Sequence, residues 1–74
     1  MKYYLYRSPV VDFTIRPTNE GWDLFFKSNC FGHYSDPGAA ADDVRSRAIG
    51  CSEWSIAKVE DIPHDLFGWL QVNA

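Results

Sequence analysis

Long apolar runs are missing from this 74-residue chain. No stretch approaches the ~20 consecutive apolar residues that a transmembrane helix requires. Residues 1–7 lack the apolar core and the small-residue cleavage site of a signal peptide. We therefore expect a cytoplasmic protein with no membrane contact. In that compartment the two cysteines, Cys30 and Cys51, should be reduced thiols.

Clustered positive charge is also absent. Seven Lys and Arg residues stand against ten Asp and Glu residues, which gives a formal net charge of −3. Arg45 and Arg47 are the nearest approach to a cluster, and Asp42 and Asp43 lie beside them. Electrostatic binding of nucleic acids requires grouped cations. The net charge therefore disfavours nucleic acid, which stays the alternative partner.

The chain has few residues that suit a metal or cofactor site. Four side chains are potential zinc ligands, spaced as Cys-x2-His and Cys-x12-His: Cys30, His33, Cys51 and His64. Residues three apart on a regular strand point to opposite sides, so Cys30 and His33 diverge unless a turn begins at Cys30. No Gly-rich phosphate loop is present. We expect no metal and no cofactor.

Catalytic groupings are scarce as well. Asp61, His64 and Asp65 can be drawn as an acid–base cluster, but no Ser or Cys nucleophile lies close to them in sequence. They fit better as the polar residues at the start of a short helix. A chain of this size rarely offers the pocket of about 300 Å³ that small molecules need. We predict no catalytic residues and no enzyme.

Aromatic residues are the abundant class. Three Trp, four Tyr and five Phe residues make up 16% of the chain. Each ring buries roughly 150–250 Å², so most of them are expected to build the core. A small domain has little interior in which to hide so many rings. The remainder are expected to form an exposed apolar patch for a partner.

Alternation of apolar and polar residues predicts antiparallel strands. Residues 11–16 alternate cleanly, and residues 22–27 place Trp22, Leu24 and Phe26 on one face. Ser28-Asn29 suits a two-residue hairpin turn, and residues 30–34 form the returning strand.

Two further segments have weaker strand signals. Residues 3–7 are apolar and aromatic, and they form either a short strand or an extended lead-in. Residues 53–59 are predicted as a fourth strand.

A helix is predicted after the third strand. Asp36 is placed as its N-cap and Pro37 as its first residue, where a missing N–H has no cost. Gly50 is expected to end it in the left-handed conformation. The apolar stripe comprises Ala40, Ala41, Val44, Ala48 and Ile49.

A second cap-and-proline signal lies near the C-terminus. Residues 61–63 resemble a helix start, and residues 64–69 are predicted as one or two helical turns limited by Gly68. The fold class is therefore α+β in a single domain, residues 1–74. It has a three- or four-stranded antiparallel sheet, one main helix packed on one face and a short C-terminal helical turn.

The segment from Phe31 to Ala40, Phe-Gly-His-Tyr-Ser-Asp-Pro-Gly-Ala-Ala, resembles a recurring strand-to-helix junction. It is similar to that of small bacterial domains with three strands and a helix, including the AP2-like DNA-binding modules of phage integrases. The resemblance implies that an open sheet face reads the major groove with basic and aromatic side chains. In this chain Asp12 and Asp23 occupy that face and would repel phosphate. Similarity of fold alone does not transfer the function.

The aromatics indicate where a partner binds. If the strands are regular, Phe25 and Phe31 lie on the face opposite Trp22, Leu24 and Phe26. One helix covers only one face of a sheet, so either the C-terminal segment or a partner covers the second. We expect a non-enzymatic binding module that contacts another protein or its own copy.

The contrasting hypothesis uses the same face for nucleic acid. Stacking on aromatic rings with a few cations suits single strands better than duplex. The binding residues for either hypothesis are Phe25, Phe31, Arg16, Lys27 and His33.

Overall fold

The computed structural model describes residues 2–8, 12–27, 29–50, 54, 56, 62–63 and 65–73. Its elements are the strands β1 (Lys2–Arg7), β2 (Asp12–Pro17), β3 (Trp22–Phe26), β4 (Asn29–Tyr34) and β5 (Leu70–Asn73), the helix α1 (Pro37–Ser46) and a 3₁₀ turn (Leu66–Gly68). The strands form one antiparallel sheet in the order β4-β3-β2-β1-β5. The predicted α+β class is confirmed.

The sheet has more strands than the sequence predicted. The N-terminal segment is a full strand, β1, because it pairs with β2 on one side and β5 on the other. β5 was not predicted as a strand, since its four residues follow directly on an apolar turn. The expected C-terminal helical turn is limited to the 3₁₀ turn at Leu66–Gly68.

The strand predicted over residues 53–59 is wrong at the two positions that the structure describes. Trp54 and Ile56 have helical backbone, and the rest of that segment lies outside the described residues. Trp54 is fully buried and packs on Phe13, with ring centroids 4.9 Å apart. Packing of this ring overrides the weak strand propensity of the segment.

One face of the sheet carries the hydrophobic core. Paired residues point to the same side, so Tyr6, Phe13 and Phe26 share this face, together with Ile15 and Leu24. The buried residues of the core are Tyr6, Phe13, Ile15, Leu24, Phe26, Ala40, Ala41, Val44, Ile49, Trp54 and Trp69. We call this side of the sheet the covered face.

Helix α1 starts where the sequence predicted. Asp36 is the N-cap with extended backbone, and Pro37 is the first helical residue. The Asp36 carboxylate makes no capping hydrogen bond, contrary to expectation; the Asp36 carbonyl instead accepts from the Ala39 N–H at 3.1 Å. Proline's fixed φ, which suits the first turn, is the stronger of the two signals here.

The end of α1 comes earlier than predicted. The left-handed residue that ends the helix is Arg47, with φ of 62°, and Gly50 lies beyond the helix end. The Ala48 N–H donates to the Asp43 carbonyl and the Arg47 N–H to the Val44 carbonyl, which is the Schellman pattern. A non-glycine residue is disfavoured in this conformation. The Arg47 guanidinium donates to the Trp54 carbonyl at 2.7 Å and lies 5.2 Å from the Trp54 ring centroid.

Tyr34 connects the last strand of the hairpin to the helix. Its hydroxyl donates to Asp43 Oδ2 at 2.8 Å, and its ring lies over Gly32, where a Cβ would come within 2.7 Å. Burial, then the hydrogen bond to Asp43, then the negative charge of that carboxylate raise the pKa of Tyr34 well above its usual range. The phenol therefore stays protonated and remains a donor.

The C-terminal segment packs on the covered face and not behind the sheet. Trp69 lies 5.4 Å from the Tyr6 ring, and Trp54 makes an edge contact with the same ring at 6.2 Å. The Trp54 Nε1–H donates to the Val44 carbonyl at 2.8 Å, which ties the ring to α1. Ile62 and Leu66 also pack against this core.

No helix within the described residues is long and apolar enough to cross a membrane.

Candidate functional site: the open face of the sheet

The side of the sheet opposite the core has no covering element among the described residues. We call it the open face. The pairing registers place on it Tyr3, Leu5 and Arg7 of β1, Asp12, Thr14 and Arg16 of β2, Asp23 and Phe25 of β3, Cys30 and His33 of β4, and Leu70 and Val72 of β5. This face therefore offers both apolar and charged side chains to a partner.

A polar row crosses the open face. His33 Nδ1 lies 2.6 Å from Asp23 Oδ1, and Asp23 stands directly opposite Arg16. The Arg16 guanidinium lies 5.2 Å from the centroid of the Tyr3 ring, at cation–π distance. A histidine, an acid and an arginine thus follow one another along the row, and these contacts hold their side chains in a defined arrangement.

A second pair of charges lies at the end of the strands. Arg7 is directly opposite Asp12 in the β1–β2 register. Opposite charges at such positions attract each other across the strands. Each arginine of the open face therefore has an acid as a cross-strand neighbour, and the face offers no uniform positive potential.

An apolar band runs beside the polar row. Phe25 is opposite Thr14, which is opposite Leu5, which is opposite Leu70. Phe25 and Leu5 are half-buried, and the Leu70 side chain is 64% exposed. Partly exposed apolar side chains grouped in this way are typical of interaction surfaces.

Lys27 lies at the margin of the open face. It follows β3 in the left-handed conformation, with φ of 57°. Its Nζ is 5.7 Å from the Phe26 ring centroid, and its side chain lines a shallow depression with Thr14, Arg16 and Phe25. The structure thus brings three of the predicted binding residues together: Arg16, Phe25 and Lys27.

The predicted position of Phe31 is wrong. A β-bulge shifts the register between Leu24 and Phe25, so that Gly32 pairs with Leu24 but Cys30 pairs with Phe25. Phe31 is the extra residue, and its ring packs edge-on against Phe26 at 5.7 Å, beside the core. Cys30 lies on the open face as the partner of Phe25, so the side chain of the next residue, Phe31, points to the covered face. Phe31 is therefore not part of the open face.

The same bulge changes the prediction for the possible zinc ligands. Cys30 and His33 share the open face, because their partners Phe25 and Asp23 do. The Cys30 thiol is exposed and lies 3.5 Å from the Gly32 carbonyl, whereas His33 contacts Asp23. Within the described part of the chain no three potential ligands are placed to hold a metal. Cys51 and His64 lie outside the described residues.

Asp65 has a local structural role. Its carboxylate accepts from the Phe67 N–H at 3.0 Å and so caps the 3₁₀ turn. This agrees with its interpretation as a polar residue at a helix start. Asp61 and His64, the other members of the drawn acid–base cluster, lie outside the described residues.

Sequence reasoning missed four apolar or aromatic residues of the open face: Tyr3, Leu5, Leu70 and Val72. The alternation in residues 3–7 is a signal for the first two, since Tyr3 and Leu5 alternate with the covered-face residues Tyr4 and Tyr6. No comparable signal marks Leu70 and Val72, because a four-residue strand is too short for a periodic pattern.

Comparisons with known proteins give no identification. No protein-family model matches the sequence, and neither a curated protein nor a solved structure matches the chain. The resemblance to the AP2-like junction therefore stays a prediction.

Proposed function

We propose that this protein is a non-enzymatic binding module that contacts another protein through the open face of its sheet. The observation that carries the proposal is the placement of the C-terminal aromatics. Trp54 and Trp69 pack on the same face as α1, so the described residues leave Phe25 and the apolar band uncovered. An apolar band flanked by polar groups suits a protein partner.

Charge supports a protein partner over nucleic acid. Asp23 and Asp12 stand opposite Arg16 and Arg7, and the whole chain carries −3. Phosphate binding requires cations that are not neutralised by adjacent carboxylates. A protein surface with complementary acids and bases fits the alternating row formed by His33, Asp23 and Arg16.

The test replaces Phe25 with serine. Phe31 is replaced with serine in a second variant for comparison, because it is the same residue type on the other side of the sheet. Phe25→Ser should leave the free energy of unfolding in urea within about 1 kcal/mol of the wild type, because the ring is only half-buried. Phe31→Ser removes a ring packed beside the core and should destabilise the protein. Chemical-shift mapping of labelled protein, titrated with a partner isolated by affinity capture, should place the perturbations on the open face. Phe25→Ser should abolish them.

A variant far from the open face controls for general loss of apolar surface. Phe67→Ser changes a ring that is 97% exposed on the 3₁₀ turn, and partner binding should survive. Unfolding of Phe25→Ser, or unaltered partner binding by that variant, would contradict the proposal.

Single-stranded nucleic acid is the second candidate. Arg16, Phe25 and Lys27 line one depression, which provides two cations beside a stacking surface. Affinity for an oligonucleotide should then fall steeply as salt rises, whereas an apolar protein interface should change little. Titrating a labelled oligothymidylate at low and high salt separates the two candidates.

A further inference from the structure

We propose that a second copy of this chain pairs antiparallel with β5, with the two-fold axis at Gln71. The two five-stranded sheets would then form one continuous sheet across the contact. This goes beyond the proposed function, because it uses the edge of the sheet and does not depend on what the open face binds.

The edge is available in the described part of the chain. β5 pairs with β1 on one side, and no described strand lies on its other side. Leu70-Gln-Val-Asn73 contains no charge and no proline. Native edge strands are usually protected by those residues or by a bulge, since their outward N–H and C=O groups otherwise pair with another strand.

The opposite edge of the sheet has such protection. β4 carries the bulge opposite Leu24 and Phe25, and α1 packs against the same strand. A bulge twists an edge away from regular pairing. The two edges are therefore unequal, and β5 is the one suited to pairing.

The apolar pattern selects the register. With the axis at Gln71, Leu70 stands opposite the Val72 of the second copy, and both residues belong to the open face. A shift by one residue would pair Leu70 with Asn73 and join the open face of one copy to the covered face of the other. Register follows the alignment of apolar side chains, so the first arrangement is favoured.

The β1–β5 register extends this match inward. Leu5 is opposite Leu70 and Tyr3 is opposite Val72. On each side of the axis, one row of side chains therefore runs across the contact between the two copies. Its order is Leu5, Leu70, Val72, Tyr3, and the last two residues belong to the second copy. Neither row contains a charge. This self-complementarity is the reason that the occupant is a second copy and not an unrelated extended peptide.

The first experiment is the solution mass of the protein over a concentration series, by light scattering on a sizing column. The wild type should move from monomer to dimer as concentration rises. Gln71→Lys and Gln71→Glu each place like charges opposite each other at the axis, and each should weaken the dimer by about tenfold or more. An equimolar mixture of the two variants should restore a heterodimer, because the charges then attract.

Matched variants at the other edge serve as the control. Asn29 is exposed on β4, so Asn29→Lys and Asn29→Glu should dimerise as the wild type does. Hydrogen exchange of wild-type amides 70–73 gives a readout without mutation, and their protection should increase with concentration. A wild type that stays monomeric, Gln71 variants that dimerise normally, or a mixture that stays monomeric would each overturn the pairing. Loss of open-face binding in Phe25→Ser would leave it intact.

Discussion

At the scale of single residues, glycines decide how closely two chain segments approach. Gly21 precedes β3, and a Cβ built on it would lie 2.3 Å from the Tyr34 carbonyl oxygen. That neighbour is backbone, so it has no rotamer by which to move away. Gly38 differs, because the nearest atom to its Cβ position is the Asp36 carboxylate at 3.1 Å, the end of a side chain.

We therefore predict that Gly21→Ala destabilises the protein by roughly 1–3 kcal/mol, the usual cost of overpacking. Gly38→Ala is the control: it lies in the first turn of α1 and should be neutral or stabilise by up to about 1 kcal/mol. Urea unfolding followed by circular dichroism measures both. Equal midpoints for the two alanine variants would refute the steric argument.

Local residue chemistry was the most predictable level. Asp36 and Pro37 identify the start of α1 because an extended N-cap followed by proline is a backbone requirement. Gly50 shows the limit of such reasoning. It does have a positive φ of 70°, yet the helix has already ended at Ser46. A glycine permits the left-handed conformation at its own position. It does not prevent the helix from ending at an earlier residue.

At the scale of elements, the end of α1 depends on a contact distant in sequence. Arg47 holds the left-handed position at an intrinsic cost, and its guanidinium contacts both the carbonyl and the ring of Trp54. No local pattern predicts this end, because the compensating contacts come from a segment seven residues further along.

Two substitutions at Arg47 separate the backbone and side-chain contributions. Arg47→Ala keeps the left-handed cost and loses the guanidinium contacts, so we expect a loss of about 2 kcal/mol. Arg47→Gly loses the same contacts but relieves the backbone, so it should be more stable than the alanine variant by about 1 kcal/mol. Thermal unfolding of both proteins tests the order. An alanine variant as stable as the glycine variant would disprove the backbone cost.

The bulge in β4 is the element feature that most affected the prediction of the site. Strict alternation from Cys30 would place His33 on the covered face, and that alternation fails where Gly32 and Cys30 pair with adjacent residues of β3. A bulge adds one residue without changing the composition of the strand, so periodicity has no signal for it. Phe25 and Arg16 lie on the open face as predicted because β2 and β3 pair without interruption. His33 lies there only because of the bulge in β4.

At the scale of the whole molecule, one tryptophan joins the sheet to the helix. Trp54 contacts the rings of Tyr6 and Phe13 on the sheet and donates to the Val44 carbonyl on α1. A domain of this size has a net stability of only about 3–5 kcal/mol. The contacts of this one ring with both layers can thus contribute as much free energy as the net stability of the whole domain.

Trp54→Ala should remove about 3–5 kcal/mol and leave the protein largely unfolded at 25 °C. Near-ultraviolet circular dichroism and amide dispersion in NMR spectra would show the loss directly. Phe67→Ala removes an aromatic ring that is 97% exposed and should shift stability by no more than about 0.5 kcal/mol. A well-folded Trp54→Ala protein would mean that the core does not depend on this ring.

The overall class was predictable, and the layer arrangement was not. Alternation at residues 11–16 and 22–27 and the capped helix suffice for α+β. The question of which face the C-terminal segment covers depends on where Trp54 and Trp69 pack, and neither residue belongs to a periodic pattern long enough to indicate it. The open face therefore became visible only in three dimensions.

The inequality of the two sheet edges has a consequence for assembly size. A sheet with two pairing edges can add copies without limit and grow into a fibre, whereas a sheet with one such edge is saturated after a single addition. With the β5 pairing proposed above, the bulge in β4 would make this sheet the second kind. The bulge that brings His33 to the open face would thus, under the proposed pairing, also limit the assembly to a closed pair and prevent a filament.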